Sequence, residues 1–331
     1  MTANVGLILG SAIPPERLPE LARTVERAGF AELWPCEDYF FYGGISGAAA
    51  ALAATSEIQV GLGVVSALAR HPAALAMEIA TIARLHPGRF LPGIGLGVPA
   101  WINQMGYHPD SPATVLREAV TSVRQLLDGE ELTRTGKVFT FDRVKLVHPP
   151  EVRPPLYMGV VGPNLLRLSG EVADGNVVSV LAGTEYIRWL RQKVGEGRAT
   201  SGRTDPQRIT TFVLYSVDKD SAKAKKSLRA ITAFYLSAMP RSALTDVYGV
   251  GDELWDMYTR GGTDAAALIA NEMPEQWVED LVVAGDPEEC AAKIQALSDA
   301  GSDSVCLYPM PIERTDEMIQ LTVSDVLPKL G

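Results

Sequence analysis

Short apolar runs alternating with longer amphipathic segments constrain this chain more than any other feature of its sequence. The runs VGLIL (5–9), ELWP (32–35), IQVGLGVV (58–65) and FLPGIGLG (90–97) alternate with helix-like segments at 14–30, 47–55, 71–85 and 112–129. Near-continuous apolar strands need cover on both faces, as in parallel sheets. The rhythm resumes with PLYMGVV (155–161), NVVSVL (176–181), ITTFVLYSV (209–217) and SVCLYPM (304–310). Eight such strands predict a closed α/β architecture, the (β/α)8 TIM barrel. An open doubly wound sheet usually stops near about six strands and carries a phosphate loop after the first. The first turn here, LGSAIPP, has no GxGxxG.

Two stretches interrupt the alternation. GKVFTFDRVKLVHPP (136–150) alternates apolar and polar residues and closes in Pro149-Pro150, which predicts an inserted hairpin before the fifth strand. Residues 221–284 hold helical patterns separated by glycines, which predicts extra helices before the eighth strand. With these insertions the 331 residues read as one domain.

Composition removes several function classes. A formal net charge of −10, with no basic run longer than the segment around Lys223 to Lys226, argues against a nucleic-acid partner. Cys36, Cys290 and Cys306 are odd in number and far apart, so neither a disulfide framework nor a CxxC site is indicated and a reducing cytoplasm is expected. No basic leader and no apolar stretch near about 20 residues is found, so neither export nor a membrane span is expected. The four histidines, His71, His86, His108 and His148, form no HExxH or other ligand spacing, and no metal site is expected. His71 and His86 stand beside prolines at helix ends, where a structural role is expected. A GxSxG elbow and a P-loop are both missing.

In a barrel the chemistry gathers in loops after the C-terminal strand ends. After the second strand, Glu37 and Asp38 precede Tyr39, Phe40, Phe41 and Tyr42. Such a set either packs a planar heterocycle or supplies a loop cap with aromatics covering the barrel end. After the third strand, Gly61-Leu62-Gly63-Val64 leads to Arg70-His71-Pro72. The fourth places Gly93, Gly95 and Gly97 on one face, which implies room for another group, although strand glycines also mark bulges and tight packing. The fifth ends Val160-Val161-Gly162-Pro163-Asn164 and runs into a helix. Free amides and the helix dipole there would cradle a phosphate; the bland alternative is plain punctuation of a helix start.

Taken together, Gly63-Val64 before Arg70-His71-Pro72, the string from Thr81 to Phe90 with Gly93, Gly95 and Gly97, and Gly162-Pro163 through Gly170-Glu171-Val172-Ala173-Asp174-Gly175-Asn176 resemble the luciferase-like monooxygenase superfamily. The pattern is most similar to the branch holding methylenetetrahydromethanopterin reductase and other coenzyme F420-dependent oxidoreductases. The resemblance implies a cofactor ring at the barrel mouth and a cofactor phosphate at the fifth-strand loop. It also implies a non-proline cis peptide at Gly63-Val64, forming a bulge behind the ring. Asp38 matches the family's acidic residue, and Gly162 and Pro163 match its phosphate loop, with Val161, Gly95 and Gly97 beside the cofactor. Where many relatives carry a histidine, this chain has Tyr39; where many carry an acidic or polar residue after the fourth-strand glycines, it has Val98-Pro99-Ala100.

The expected activity is hydride transfer between a reduced deazaflavin and a small organic substrate, with Asp38 and Tyr39 as the catalytic candidates. A tyrosine with a pKa near about 10 is a poor base at neutral pH, so Asp38 is preferred as the proton-handling group. The alternatives are an FMN-dependent monooxygenase and a non-catalytic cofactor-binding barrel. Trp34, Phe40, Phe41, Tyr42 and Trp101 favour an apolar or planar substrate over a sugar phosphate. A homodimer is expected from family habit.

Overall fold

A computed structural model describes residues 3–330. The strands are β1 (Asn4–Leu9), β2 (Glu32–Pro35), β3 (Gln59–Ser66), β4 (Phe90–Gly95), β5 (Leu132–Thr135), β6 (Thr140–Val144), β7 (Tyr157–Gly159), β8 (Gly175–Val178), β9 (Arg208–Val217), β10 (Val283–Gly285) and β11 (Ser304–Pro309). Eight of them, in the order β1-β2-β3-β4-β7-β8-β9-β11, pair in parallel, and β11 returns to β1 with Asn4 opposite Ser304. The sheet therefore closes on itself as the (β/α)8 barrel that the eight apolar runs predict. Each run is apolar throughout because one face looks into the barrel and the other meets a helix.

The boundaries of the interruptions differ from the expectation. The hairpin pairs β5 with β6 and begins at Leu132 rather than 136, because its first strand, Leu-Thr-Arg-Thr, buries only its leucine and leaves no apolar alternation to read. His71 anchors it: the imidazole accepts a hydrogen bond from the Ala73 amide at the helix start and packs against Phe139 and Phe141. Between β9 and β10 stand helices Ser221–Ala238, Ala243–Asp246, Gly251–Gly261, Ala265–Glu272 and Glu275–Leu281. The three-residue β10 was not foreseen; it pairs with Tyr215–Val217 of β9, beyond the part of β9 that meets β8. No helix is long and apolar enough to cross a membrane among the described residues.

The barrel interior is plugged by aromatic rings. Trp34 is fully buried and meets Tyr157 and Phe212 edge-on, with ring centroids 5.7 and 5.5 Å away. Each such pair adds about 1 kcal/mol beyond the area it buries. Glycines make the room: a Cβ on Gly61 would fall inside the Trp34 ring, and one on Gly63 would lie 2.8 Å from Phe212. Below this layer the Trp34 indole donates to Glu32 at 2.8 Å, and Arg208 pairs with the same carboxylate at 2.7 Å. Trp34 is thus part of the plug and does not line the mouth, which corrects its expected place near the substrate.

Asp174, from the Gly170–Asn176 string, lies outside the mouth. Arg124, Arg153 and Arg203 all bind its carboxylate, which also accepts the Leu156 amide. Burial pushes this carboxyl up, but the amide and the guanidinium groups outweigh it and hold it at about 2. This residue of the string ties helices to strands.

Candidate active site

The C-terminal ends of β2, β3, β4, β7 and β8 surround a cavity of about 430 Å³. Its walls include Asp38, Gly63, Val64, Gly97, Val161 and Gly162, six of the positions singled out in the sequence, together with Leu96, Val98, Leu165, Val177 and Phe212. The lining is mainly apolar, and its ionisable groups are the carboxylates of Glu37 and Asp38.

The wall at β3 is a bulge. Pairing with β4 runs in register to Leu62–Pro92 and resumes at Val65–Ile94, so Gly63 and Val64 are left out of the ladder. Their peptide bond is cis, as the family resemblance implies. The bulge turns Val64 across the neighbouring strands. A Cβ on Gly93 or Gly95 would lie 2.7 Å from a Val64 methyl, and one on Gly159 would lie 3.0 Å away. The same-face glycines therefore hold room for the protein's own valine rather than directly for a ligand. Gly95 stands behind that valine, while Gly97, in the left-handed region at φ +86°, reaches the cavity itself.

The opposite wall is the start of helix Pro163–Val172. Gly162 is its N-cap in extended conformation, with no side chain capping the amides. Nothing lies within 4 Å of where a Gly162 Cβ would be. Pro163 has no N–H to lose, so the next amides face outward with the positive end of the helix dipole. The Tyr186 hydroxyl donates to the Val161 carbonyl at 2.7 Å and fixes the approach to this turn.

The loop after β2 carries the acidic pair. Asp38 accepts a hydrogen bond from Ser11, 2.6 Å away at the end of β1. Burial raises its pKa above the ordinary carboxylate value, the Ser11 hydroxyl opposes this, and the neighbouring Glu37 adds to the rise. Glu37 is held by a two-pronged pair with Arg70, at 2.7 and 2.9 Å, and accepts the Gly44 amide at 3.0 Å. Tyr39 donates to the same carboxylate at 3.1 Å. Burial, then Glu37, push the Tyr39 phenol up to about 12. The Tyr39-Phe40 peptide is also cis, which nothing in the sequence announces. Phe40 and Phe41 point outward, and Tyr42 donates to the Leu9 carbonyl. Ser11, Arg70 and Phe212 belong to the site although the sequence reading gave them no role in it. Their partners lie 27 residues away for Ser11 and 33 for Arg70, and no local pattern links them.

A family model described as luciferase-like monooxygenase matches residues 2–304. The 5,10-methylenetetrahydromethanopterin reductase of Methanolobus tindarius is 28% identical over 295 residues, spanning 87% of this chain and 88% of that protein. The F420-dependent glucose-6-phosphate dehydrogenase of Kineococcus radiotolerans is 28% identical over 333 residues, spanning 96% and 93%. Among solved structures, the coenzyme F420-dependent tetrahydromethanopterin reductase from Methanopyrus kandleri superposes with a TM-score of 0.86 over the whole of both chains, at 26% identity. With the barrel, the β3 bulge and the glycine-capped helix all in place, the chain belongs to the luciferase-like monooxygenase family.

Proposed function

We propose that this protein is a coenzyme F420-dependent oxidoreductase that moves hydride to or from a small organic substrate. The observation that carries the reading is one continuous cavity, with the Gly63-Val64 bulge on one wall and the uncapped helix start at Gly162-Pro163 on another. The chain's similarity to F420-dependent reductases and dehydrogenases over nearly its full length selects the deazaflavin.

The residues present fit such a cofactor. Val64, Leu96, Val98 and Val177 offer apolar surface to a planar ring, and the open amides after Pro163 suit a phosphate. When bound, a deazaflavin supplies or accepts two electrons as hydride. Val64 backs the ring and keeps water from that face. Gly162 lets the backbone come close to the phosphate, with Val161 and Pro163 setting the turn. Asp38, whose pKa burial raises, is the proposed group that gives or takes the proton at its carboxyl oxygen. Tyr39 is proposed to serve as a hydrogen-bond donor that holds Glu37, and with a phenol at about 12 it is no base at neutral pH.

Homodimerisation is proposed from the habit of the family. Three free thiols support a reducing compartment, which we propose is the cytoplasm.

The test is titration of the purified protein with F420 and separately with FMN, followed by quenching of tryptophan fluorescence. Tight binding of F420 with weak FMN binding is expected. Tight binding of FMN alone would move the assignment to an oxygen-using monooxygenase, and binding of neither would leave a barrel without this catalysis.

A further inference from the structure

The cavity takes up only part of the barrel mouth. It engages the ends of β2, β3, β4, β7 and β8 and one ring of β9, Phe212. The remaining arc is formed by the ends of β11 and β1 and by helix Ser221–Ala238, and it presents Tyr308, Ser11 and Tyr235. Tyr235 and Tyr308 pack against the same apolar cluster as Val64 and Phe212, which line the cavity. A Cβ on Gly10 would overlap the Tyr308 hydroxyl, which places that phenol against the turn carrying Ser11 and its partner Asp38. Tyr42, Tyr235 and Tyr308 all lie close enough to Asp38 to feel its charge.

The phenols around Asp38 divide into two kinds. Those of Tyr39 and Tyr42 are spent, on Glu37 and on the Leu9 carbonyl. Those of Tyr235 and Tyr308 belong to half-buried side chains and form no hydrogen bond among the described residues. A polar group left free on a partly desolvated wall is a donor available to a ligand. Burial raises both phenols above the ordinary tyrosine value, so both keep their protons at neutral pH. No Lys or Arg lines the cavity, and the nearby Arg70 is already engaged by Glu37.

We infer that Tyr308 and Tyr235 form the substrate subsite, where their hydroxyls bind the oxygen of a neutral carbonyl compound or alcohol beside Asp38, and that a phosphorylated substrate is not accepted. The inference rests on the deazaflavin reading, since it assigns to substrate the arc that the cofactor leaves. An acceptor oxygen placed there meets two hydroxyl donors and a carboxyl. A phosphate dianion placed there would meet the Asp38 carboxyl, with no free cation in the lining of the adjoining cavity to offset its charge.

The experiment uses protein loaded with oxidised F420, titrated by calorimetry with cyclohexanone as the neutral probe and separately with glucose 6-phosphate. Cyclohexanone is expected to bind and glucose 6-phosphate is not. Tyr308→Phe and Tyr235→Phe keep the rings and remove the hydroxyls; each is expected to weaken cyclohexanone about tenfold while leaving F420 affinity unchanged. Loaded protein that fails to bind cyclohexanone, unchanged ketone affinity in both variants, or tight glucose 6-phosphate binding overturns the inference and leaves the cofactor assignment standing. Failure to take up F420 overturns the cofactor assignment, and this inference with it.

Discussion

Arg70→Met tests whether the Glu37–Arg70 pair holds the loop that carries Asp38. The Glu37 side chain is 1% exposed and that of Arg70 is 26% exposed. Removing the arginine leaves a buried carboxylate with the Gly44 amide and the Tyr39 hydroxyl as its remaining donors. Breaking a buried pair on one side costs about 3 to 5 kcal/mol. Water that reaches the half-open arginine site relieves some of this, so about 3 kcal/mol is expected. Glu37→Gln combined with Arg70→Met removes both charges and is expected to cost less than the arginine change alone, because no ion is then left unpaired. Urea unfolding of the wild type, both single variants and the double variant gives all four values. A loss below about 1 kcal/mol in Arg70→Met, or a double variant whose cost equals the sum of the singles, would refute the reasoning.

Two further outcomes follow from the site. Gly162→Leu places a side chain where nothing lies within 4 Å, on backbone at φ −79° that any residue adopts, so thermal stability should hold while F420 affinity falls at least about tenfold. Unchanged affinity by fluorescence titration would remove the phosphate cradle from the assignment. Asp38 has a folded pKa above its unfolded value, so the wild type loses stability as pH rises from about 4 through that folded value. Asp38→Asn escapes this loss. The variant should therefore gain stability relative to the wild type between pH 3.5 and pH 7 while hydride transfer to substrate drops; a pH-independent difference in melting temperature would contradict it.

The sequence revealed the barrel because each strand's two covered faces require apolar runs, and even the four-residue ELWP stood out between helical segments. Leu132–Thr135 escaped notice because its outward residues are polar, and Val283–Gly285 because three residues carry no periodicity. At the site, Asp38, Gly63 and Gly162 were legible through motif resemblance. The Arg70–Glu37 clasp was not, since a pair joined only by folding leaves no mark in spacing. Gly93 and Gly95 were noticed for a sound reason, the empty face, but the occupant of that space is Val64 from the neighbouring strand. The aromatic run after β2 divided: Tyr39 and Tyr42 turn inward to hydrogen bonds, while Phe40 and Phe41 remain 66% and 59% exposed.

Val64 has one face toward the cavity and the other against three missing side chains, at Gly93, Gly95 and Gly159. The dimensions of the pocket are thus governed from behind its wall. A methyl added at Gly95, where the nearest neighbour is a Val64 methyl at 2.7 Å, would press the valine forward and narrow the opening, whereas one at Gly93 would first meet the Leu62 carbonyl oxygen at 2.3 Å; trimming the valine would deepen the pocket toward a hollow that the glycines already provide. Reshaping this barrel for a bulkier or slimmer ring is a problem of hidden positions, and a screen confined to residues that touch the ligand would miss the most direct control over its width.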